Sequence, residues 1–345
     1  MDSGFRILKW PAALLLAFLF LSGCSKQPTE TVLSLNGMTM GTTYTVKWVS
    51  VDDAHTQSAQ IQKEITQALV DVNQSMSTYI DDSELSKFNQ MPSGAGVIAS
   101  KPLFFVLALA ESISEATLGA FDVTVGPLVN LWGFGPDKRI IKAPSDALVE
   151  QRLTEIGYQF LELNPETRQI TKTKPLYVDL SAIAKGYGVD VLAAILETHG
   201  IVNYLVEIGG ELRTSGRKPG NQDWRIAIES PTQGERQVQK IIRISDTGIA
   251  TSGDYRNYFE EDGIRYSHTI DPKTGRPITH KLASVTVLMP TCAEADALAT
   301  AFMVMGEEAA YEYASKNQID AFFIVKSETG FIEKMTPGFE KRLVK

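Results

Sequence analysis

Apolar and polar residues alternate over 32–35 and 42–51, a period of two that predicts a pair of strands around Asn36-Gly37. From 57 to 76 the period lengthens, and Ile61, Ile65, Leu69 and Val72 share one face of a helix. Ser100 is a fitting N-cap for a helix over 101–117, where Leu103, Val106, Leu107 and Ala110 align and Gly119 supplies the stop. A helix over 145–156 ends in the same way at Gly157. Segments 159–163 and 168–172 flank Asn164-Pro165-Glu166-Thr167 as a hairpin. Ile183, Tyr187, Leu192, Ile195 and Leu196 predict a helix over 183–199, closed by Gly200. Strands then dominate, at 203–208, 212–215, 224–229, 238–245, 255–260, 264–270 and 284–288, with Asp262-Gly263 as a tight turn between two of them. Helices over 293–305 and 307–316 and a strand over 320–326 complete the pattern. Hairpins mixed with helices, without regular β-α-β winding or an internal repeat, predict an α+β fold: one domain of mixed or antiparallel sheets with packed helices.

The first two dozen residues stand apart. Arg6 and Lys9 precede an apolar run from Trp10 to Leu21, which is too short for a comfortable membrane span, and Leu21-Ser22-Gly23-Cys24 follows. The run reads as a secretory signal, and its end resembles the bacterial lipobox, in which the cysteine is acylated and becomes the first residue. An ordinary signal cleaved near Ser22 is the plainer alternative. The chain thus divides into a lipoprotein signal peptide (1–23), a lipidated polar tether (24–33) and the folded domain (34–345). Lipidation at Cys24 leaves Cys292 alone, so no internal disulfide is expected despite an oxidising compartment.

Composition narrows the function. With 43% hydrophobic and 21% charged residues and a mean hydropathy of −0.06, the 345-residue chain is neither disordered nor of low complexity. Lys+Arg 33 against Asp+Glu 41 leaves a net charge of −8, and −9 once residues 1–23 are removed, a poor balance for nucleic acid. Four histidines and two cysteines leave little for zinc.

Four clusters interrupt the apolar pattern. The first runs from Met38 to Tyr44. The second, from Gly119 to Pro127 with Asn130 to Gly135 behind it, has glycines that allow close backbone approach, and Phe121 and Trp132 could cover a planar ring. The third, Asp179 to Gly188, brings a short strand ending in Asp179 to a helix N-terminus with Lys185, where anions bind. It fits neither a P-loop nor a dinucleotide fingerprint, and a capping Asp beside a surface Lys is the plain alternative. The fourth joins Ser252 to Tyr255, Tyr266 to Gly275 and Glu294 to Thr300. In it, His268 sits at a strand end, and Asp296 and Thr300 share a helix face at i, i+4. An all-oxygen pair suits Mg²⁺ better than zinc, although surface hydrogen bonding explains it equally.

Taken in order, the motifs Thr39-Met40-Gly41-Thr42, Ser77-Thr78-Tyr79, Gly119-Ala120-Phe121-Asp122-Val123-Thr124, Asp179-Leu180-Ser181-Ala182-Ile183-Ala184-Lys185-Gly186-Tyr187, Ile208-Gly209-Gly210, Ser252-Gly253-Asp254-Tyr255, Tyr266-Ser267-His268-Thr269-Ile270-Asp271-Pro272 and Glu294-Ala295-Asp296-Ala297-Leu298-Ala299-Thr300 resemble the ApbE family of flavin transferases, from about Thr39 to Gly306. The resemblance implies Mg²⁺-dependent transfer of FMN from FAD to a Ser or Thr hydroxyl of a target protein, with AMP leaving. FAD pyrophosphatase activity and flavin binding without chemistry are the competing possibilities. Carried over position by position, Met40, Tyr79, Ala120, Phe121, Asp122, Asp179, Lys185 and Ile270 would contact FAD. The Ala182 carbonyl, Asp296 and Thr300 would hold Mg²⁺, and His268 would be catalytic. The family also implies acceptors among flavin-carrying subunits of membrane redox complexes, of the sodium-pumping NADH:quinone oxidoreductase or electron-transport type. A lipid anchor on the periplasmic face of the inner membrane fits such partners. Ser181-Ala182 stands where many members carry two glycines, which keeps the metal-binding carbonyl but bears on the loop conformation, and Ala299 where some carry an Asp, which favours extra waters on the metal.

Overall fold

The computed structural model describes residues 29–51, 55–135, 142–232, 237–255 and 257–344 together with Met1. The signal segment beyond Met1, Cys24 and the first part of the tether lie outside the described residues.

Eight strands build the central sheet: β1 (Glu30–Thr39), β2 (Thr42–Val51), β3 (Tyr204–Ile208), β4 (Glu211–Ser215), β5 (Thr247–Gly253), β6 (Leu282–Met289), β7 (Asp320–Ser327) and β8 (Gly330–Met335). Their spatial order is their chain order, and every pairing is antiparallel. The connections therefore carry the helices and the site. Helices α1 (His55–Met76), α2 (Lys101–Ala116) and α3 (Ala184–Thr198) arise between β2 and β3, and α4 (Cys292–Met305) follows β6. This is the α+β architecture that the hydrophobic pattern predicts. Among the described residues, no helix is long and apolar enough to cross a membrane.

Several boundaries differ from the sequence expectation, for physical reasons. The first hairpin turns at Met40-Gly41, not at Asn36-Gly37, and β1 begins at Glu30 within the expected tether. Both turn residues have positive φ, +49 and +71, as a two-residue hairpin turn demands. Gly37 instead lies in the strand under the Tyr44 ring, where a Cβ would come within 2.5 Å of a ring carbon. The later turn lets both strands pair over ten residues while Tyr44, Val46 and Trp48 point into the core. Val178-Asp179 forms no strand, and the expected strand over 264–270 breaks at His268. Strands β5 and β8 have no counterpart in the sequence reading.

The site depends on α4, which is buried nearly all round between α2, α3 and the sheet. Its N-terminus is capped by Thr291, whose Oγ1 accepts from the Glu294 N–H at 3.3 Å and donates its hydroxyl proton to the Glu294 carboxylate at 2.8 Å. Asp190 on α3 accepts from the Cys292 and Ala293 N–H groups at 3.0 and 2.9 Å and from Arg213 at 3.1 Å. At this crossing the backbones nearly touch, because a Cβ on Gly186 would lie 2.4 Å from the Cys292 carbonyl oxygen. Gly186→Ala is therefore expected to destabilise the fold by about 1–3 kcal/mol, seen as a lower denaturant midpoint at unchanged slope. An unaltered midpoint would refute tight helix apposition here.

Candidate active site

Two adjoining cavities open beside the N-terminus of α3. One, of about 470 Å³, is lined by Tyr79, Ala120, Phe121, Asp122, Asp179, Ala182, Lys185, His268, Ile270, Asp296 and Thr300. The other, of about 620 Å³, is more apolar and contains Met40, Val72, Met76 and Ile80. Tyr79, Ser181 and Lys185 line both. The structure thus brings together residues from eight separate sequence motifs, with Met40 next door to the other eleven.

The loop 119–125 is folded by its own aspartate. Asp122 accepts from the Thr124 N–H and hydroxyl at 2.7 and 2.6 Å and from the Tyr158 N–H at 3.0 Å. Burial raises its carboxyl above the ordinary range even against these bonds. With both oxygens engaged, Asp122 shapes the wall, and the backbone around it faces the cavity. Asp179 behaves similarly: its N–H donates to the Val123 carbonyl at 2.7 Å, and one carboxylate oxygen accepts from the Ser181 N–H and hydroxyl at 2.8 and 2.5 Å. Its other oxygen has no hydrogen-bond partner among the described residues. Tyr79 is 68% exposed at the shared rim, an aromatic surface without a cover.

Trp132 does not take the role of ring cover. It is 2% exposed, stacks on Tyr266 and donates from Nε1 to the Gly275 carbonyl at 2.8 Å. An indole of that size lowers the free energy most in a satellite core, provided its N–H finds an acceptor.

The electrostatic centre is a group of three, two buried carboxyl groups and a half-buried ammonium. The Lys185 ammonium lies 2.9 Å from Glu211 Oε1 and 3.6 Å from Asp296 Oδ1, and Asp296 Oδ2 accepts from the Gly186 N–H at 3.0 Å. Burial opposes the charge on Lys185, yet Asp296 and Glu211 hold its pKa above the ordinary lysine value. Burial, aided by Asp296 and opposed by Lys185, pushes Glu211 up to about 7. Two carboxylates against one ammonium leave the pocket floor short of positive charge. Glu211, 5% exposed, was not among the sequence candidates, and its Oε2 has no hydrogen-bond partner among the described residues. A carboxylate directly after Gly209-Gly210 at a strand start was the available signal.

His268 sits where the strand breaks. Its backbone N–H and ring Nδ1 both lie 3.1 Å from the Asn257 carbonyl oxygen. A carbonyl only accepts, so Nδ1 carries the proton and Nε2 of the neutral ring keeps a lone pair. Burial lowers the His268 pKa below its ordinary value, so the neutral form prevails at pH 7.

The donor set around Asp296 fits a hard cation. Ala182, Asp296 and Thr300 offer oxygen only, the surplus carboxylate charge lies beside them, and the unpartnered Glu211 oxygen completes a floor without nitrogen or sulfur ligands. Among the described residues no group of three or more His, Cys, Asp and Glu is placed to hold a metal ion, so the oxygen set here includes a carbonyl and a hydroxyl.

Comparison with known proteins places these features in context. The ApbE family model matches residues 40–323. An FAD:protein FMN transferase of Vibrio cholerae serotype O1 is 50% identical over 337 residues, spanning 97% of this chain and 99% of that protein. One from Haemophilus influenzae is 47% identical, with 94% of each covered. The solved structure of the flavin transferase ApbE from Vibrio cholerae superposes with a TM-score of 0.83 at 47% identity, covering 91% of this chain and all of that one. The apo flavinyl transferase ApbE of Pseudomonas stutzeri gives 0.83 at 40% identity, covering 91% and 97%.

Proposed function

The chain belongs to the ApbE family and is a flavin transferase, and from that premise we propose that it moves the FMN half of FAD onto a Ser or Thr hydroxyl of an acceptor protein, using Mg²⁺ and releasing AMP. The observation that carries this reading is the meeting, in one cleft, of an oxygen-only donor set, an ammonium held by two carboxyl groups and a neutral imidazole.

Phosphoryl transfer asks a protein for positioning and charge neutralisation rather than covalent help. Lys185, held by Glu211 and Asp296, presents fixed positive charge at the start of α3 for the diphosphate of FAD. Tyr79 and the loop around Phe121 and Asp122, with Ile270 opposite, offer surfaces for the planar rings. Ala182, Asp296 and Thr300 would hold magnesium, which when bound neutralises the phosphoryl oxygens as a Lewis acid. The acceptor hydroxyl oxygen bonds to the FMN-side phosphorus as its proton passes to His268 Nε2. The phosphorus–oxygen bond to AMP breaks, and AMP departs with its phosphate.

Incubating the protein with FAD, Mg²⁺ and a candidate acceptor tests the reading. Flavin fluorescence on the acceptor after denaturing electrophoresis is the expected result. Free FMN and AMP without labelled acceptor would make the protein a pyrophosphatase, and unchanged FAD would make it a carrier.

We further propose acylation at Cys24 and residence on the periplasmic face of the inner membrane, with acceptors among flavin-carrying subunits of redox complexes of the sodium-pumping NADH:quinone oxidoreductase or electron-transport type. The lipobox-like Leu21-Ser22-Gly23-Cys24 supports this, and a net charge of −8 argues against nucleic acid as a partner. Cys24→Ala is expected to abolish lipid attachment in intact-mass spectra and to move the protein to the soluble fraction. Retention of the acyl mass would refute the assignment.

A further inference from the structure

The central sheet is open on one side where it meets the cleft. Strand β5 pairs with β6 from Gly248 to Gly253, but with β4 only at Thr247, Gly248 and Ile249. β4 cannot extend further, because the chain doubles back at Gly209-Gly210, with φ of +62° and +107°, just before Glu211. Beyond Ala250, which is buried opposite the start of β4, residues 251–253 therefore present an edge with no neighbouring strand among the described residues. This edge lies inside the site: Thr251, Ser252 and Gly253 line the same cavity as His268 and Asp296. An unpaired strand edge is ordinarily covered or blunted, since it invites another chain to pair. Here the side chains of Thr251 and Ser252 are small, and Gly253 has none where the Tyr255 ring passes over it.

The reaction supplies the occupant. A Ser or Thr hydroxyl stands one carbon from its own Cα, so no long arm can carry it into a cleft. The acceptor backbone must enter with it. Backbone N–H and C=O groups leaving water must find partners, and the exposed edge of β5 offers them at strand spacing. We propose that the acceptor polypeptide binds as an extended strand added to β5 along residues 251–253, which delivers its hydroxyl beside His268. This strand addition is a recognised way of holding peptides, with backbone bonds giving affinity and alternate side chains giving specificity. The inference rests on the Ser/Thr acceptor proposed above.

A short synthetic peptide with one central Thr among glycines and alanines, small enough to lie along the edge, provides the test when assayed with the full chain, FAD and Mg²⁺. Analogues replace one backbone amide at a time by an ester, deleting a single N–H donor. Strand docking predicts KM for the peptide rising roughly threefold to tenfold at every second position near the hydroxyl, with KM for FAD unchanged. Hydrogen exchange at the amides of 251–253 should slow when peptide is added to the FAD-bound protein, and not with FAD alone. If the parent peptide is labelled but the ester series shows no alternation, strand docking is overturned and the transferase assignment stands. A parent peptide left unlabelled, with FAD intact or hydrolysed, overturns the acceptor assignment itself.

Discussion

His268→Gln is expected to lower FMN transfer by roughly 10²–10⁴-fold while FAD binding, followed by flavin fluorescence, stays unchanged. The size follows from the role. The Asn257 carbonyl holds the proton on Nδ1, which leaves Nε2 as the basic atom in the cleft. Glutamine can preserve a hydrogen bond to Asn257 but accepts no proton. The pH profile carries an independent signature. Burial lowers the His268 pKa, Lys185 lowers it further, and the Asn257 bond and Asp254 oppose them, for a net shift below 6.5. The base is lost as pH falls through that lowered value, so the acid limb of kcat/KM should lie below pH 6.5 and vanish in the variant. Full activity in His268→Gln, or an acid limb above the ordinary histidine value, would remove His268 from the proton transfer.

Asp296→Ala should abolish turnover at low Mg²⁺, with the apparent Mg²⁺ requirement displaced far upward. In the native site one oxygen of Asp296 accepts from the Gly186 N–H and the other lies 3.6 Å from Lys185. Truncation removes a cation ligand and also strands a buried N–H, at a cost of about 1–3 kcal/mol in stability. Asp296→Asn separates the two effects. Its amide oxygen still accepts from Gly186, so the fold should hold, but the negative charge is gone and Mg²⁺ binding, measured by calorimetry, should weaken sharply. Full turnover of Asp296→Ala at low Mg²⁺ would take Asp296 out of the metal set.

Two carboxyl groups beside one ammonium at the cavity floor would favour the proposed Mg²⁺, which a strongly basic pocket would repel.

Much of this was legible along the chain because the relevant physics is local. Ile61, Ile65, Leu69 and Val72 follow the helical repeat, and all four are buried on α1. Ser100 caps α2 by accepting from the Leu103 N–H, as a serine before an apolar helix should. Asp296 and Thr300 fall one turn apart on α4, and both reach the cleft. Asp262-Gly263, with φ of +51° and +77°, turns its hairpin as its residue types require.

Other features were settled only in three dimensions. Asn36-Gly37 has the better turn composition, yet the turn moved to Met40-Gly41 because pairing ten residues and burying Tyr44, Val46 and Trp48 outweighs the positive φ imposed on Met40. Trp132 left the cleft for a core that only folding assembles around it. Glu211 became a site residue because β4 starts next to α3, a proximity that no spacing in the chain encodes. The motifs, their chemistry and the α+β class are carried by the sequence, since periodicity, capping and turn preference act over a few residues. The sharing of Lys185 between two carboxylates, the tautomer of His268 and the open edge of β5 belong to the tertiary structure. Each depends on contacts between segments far apart in the chain, which only the packing of the whole sheet and its helices determines.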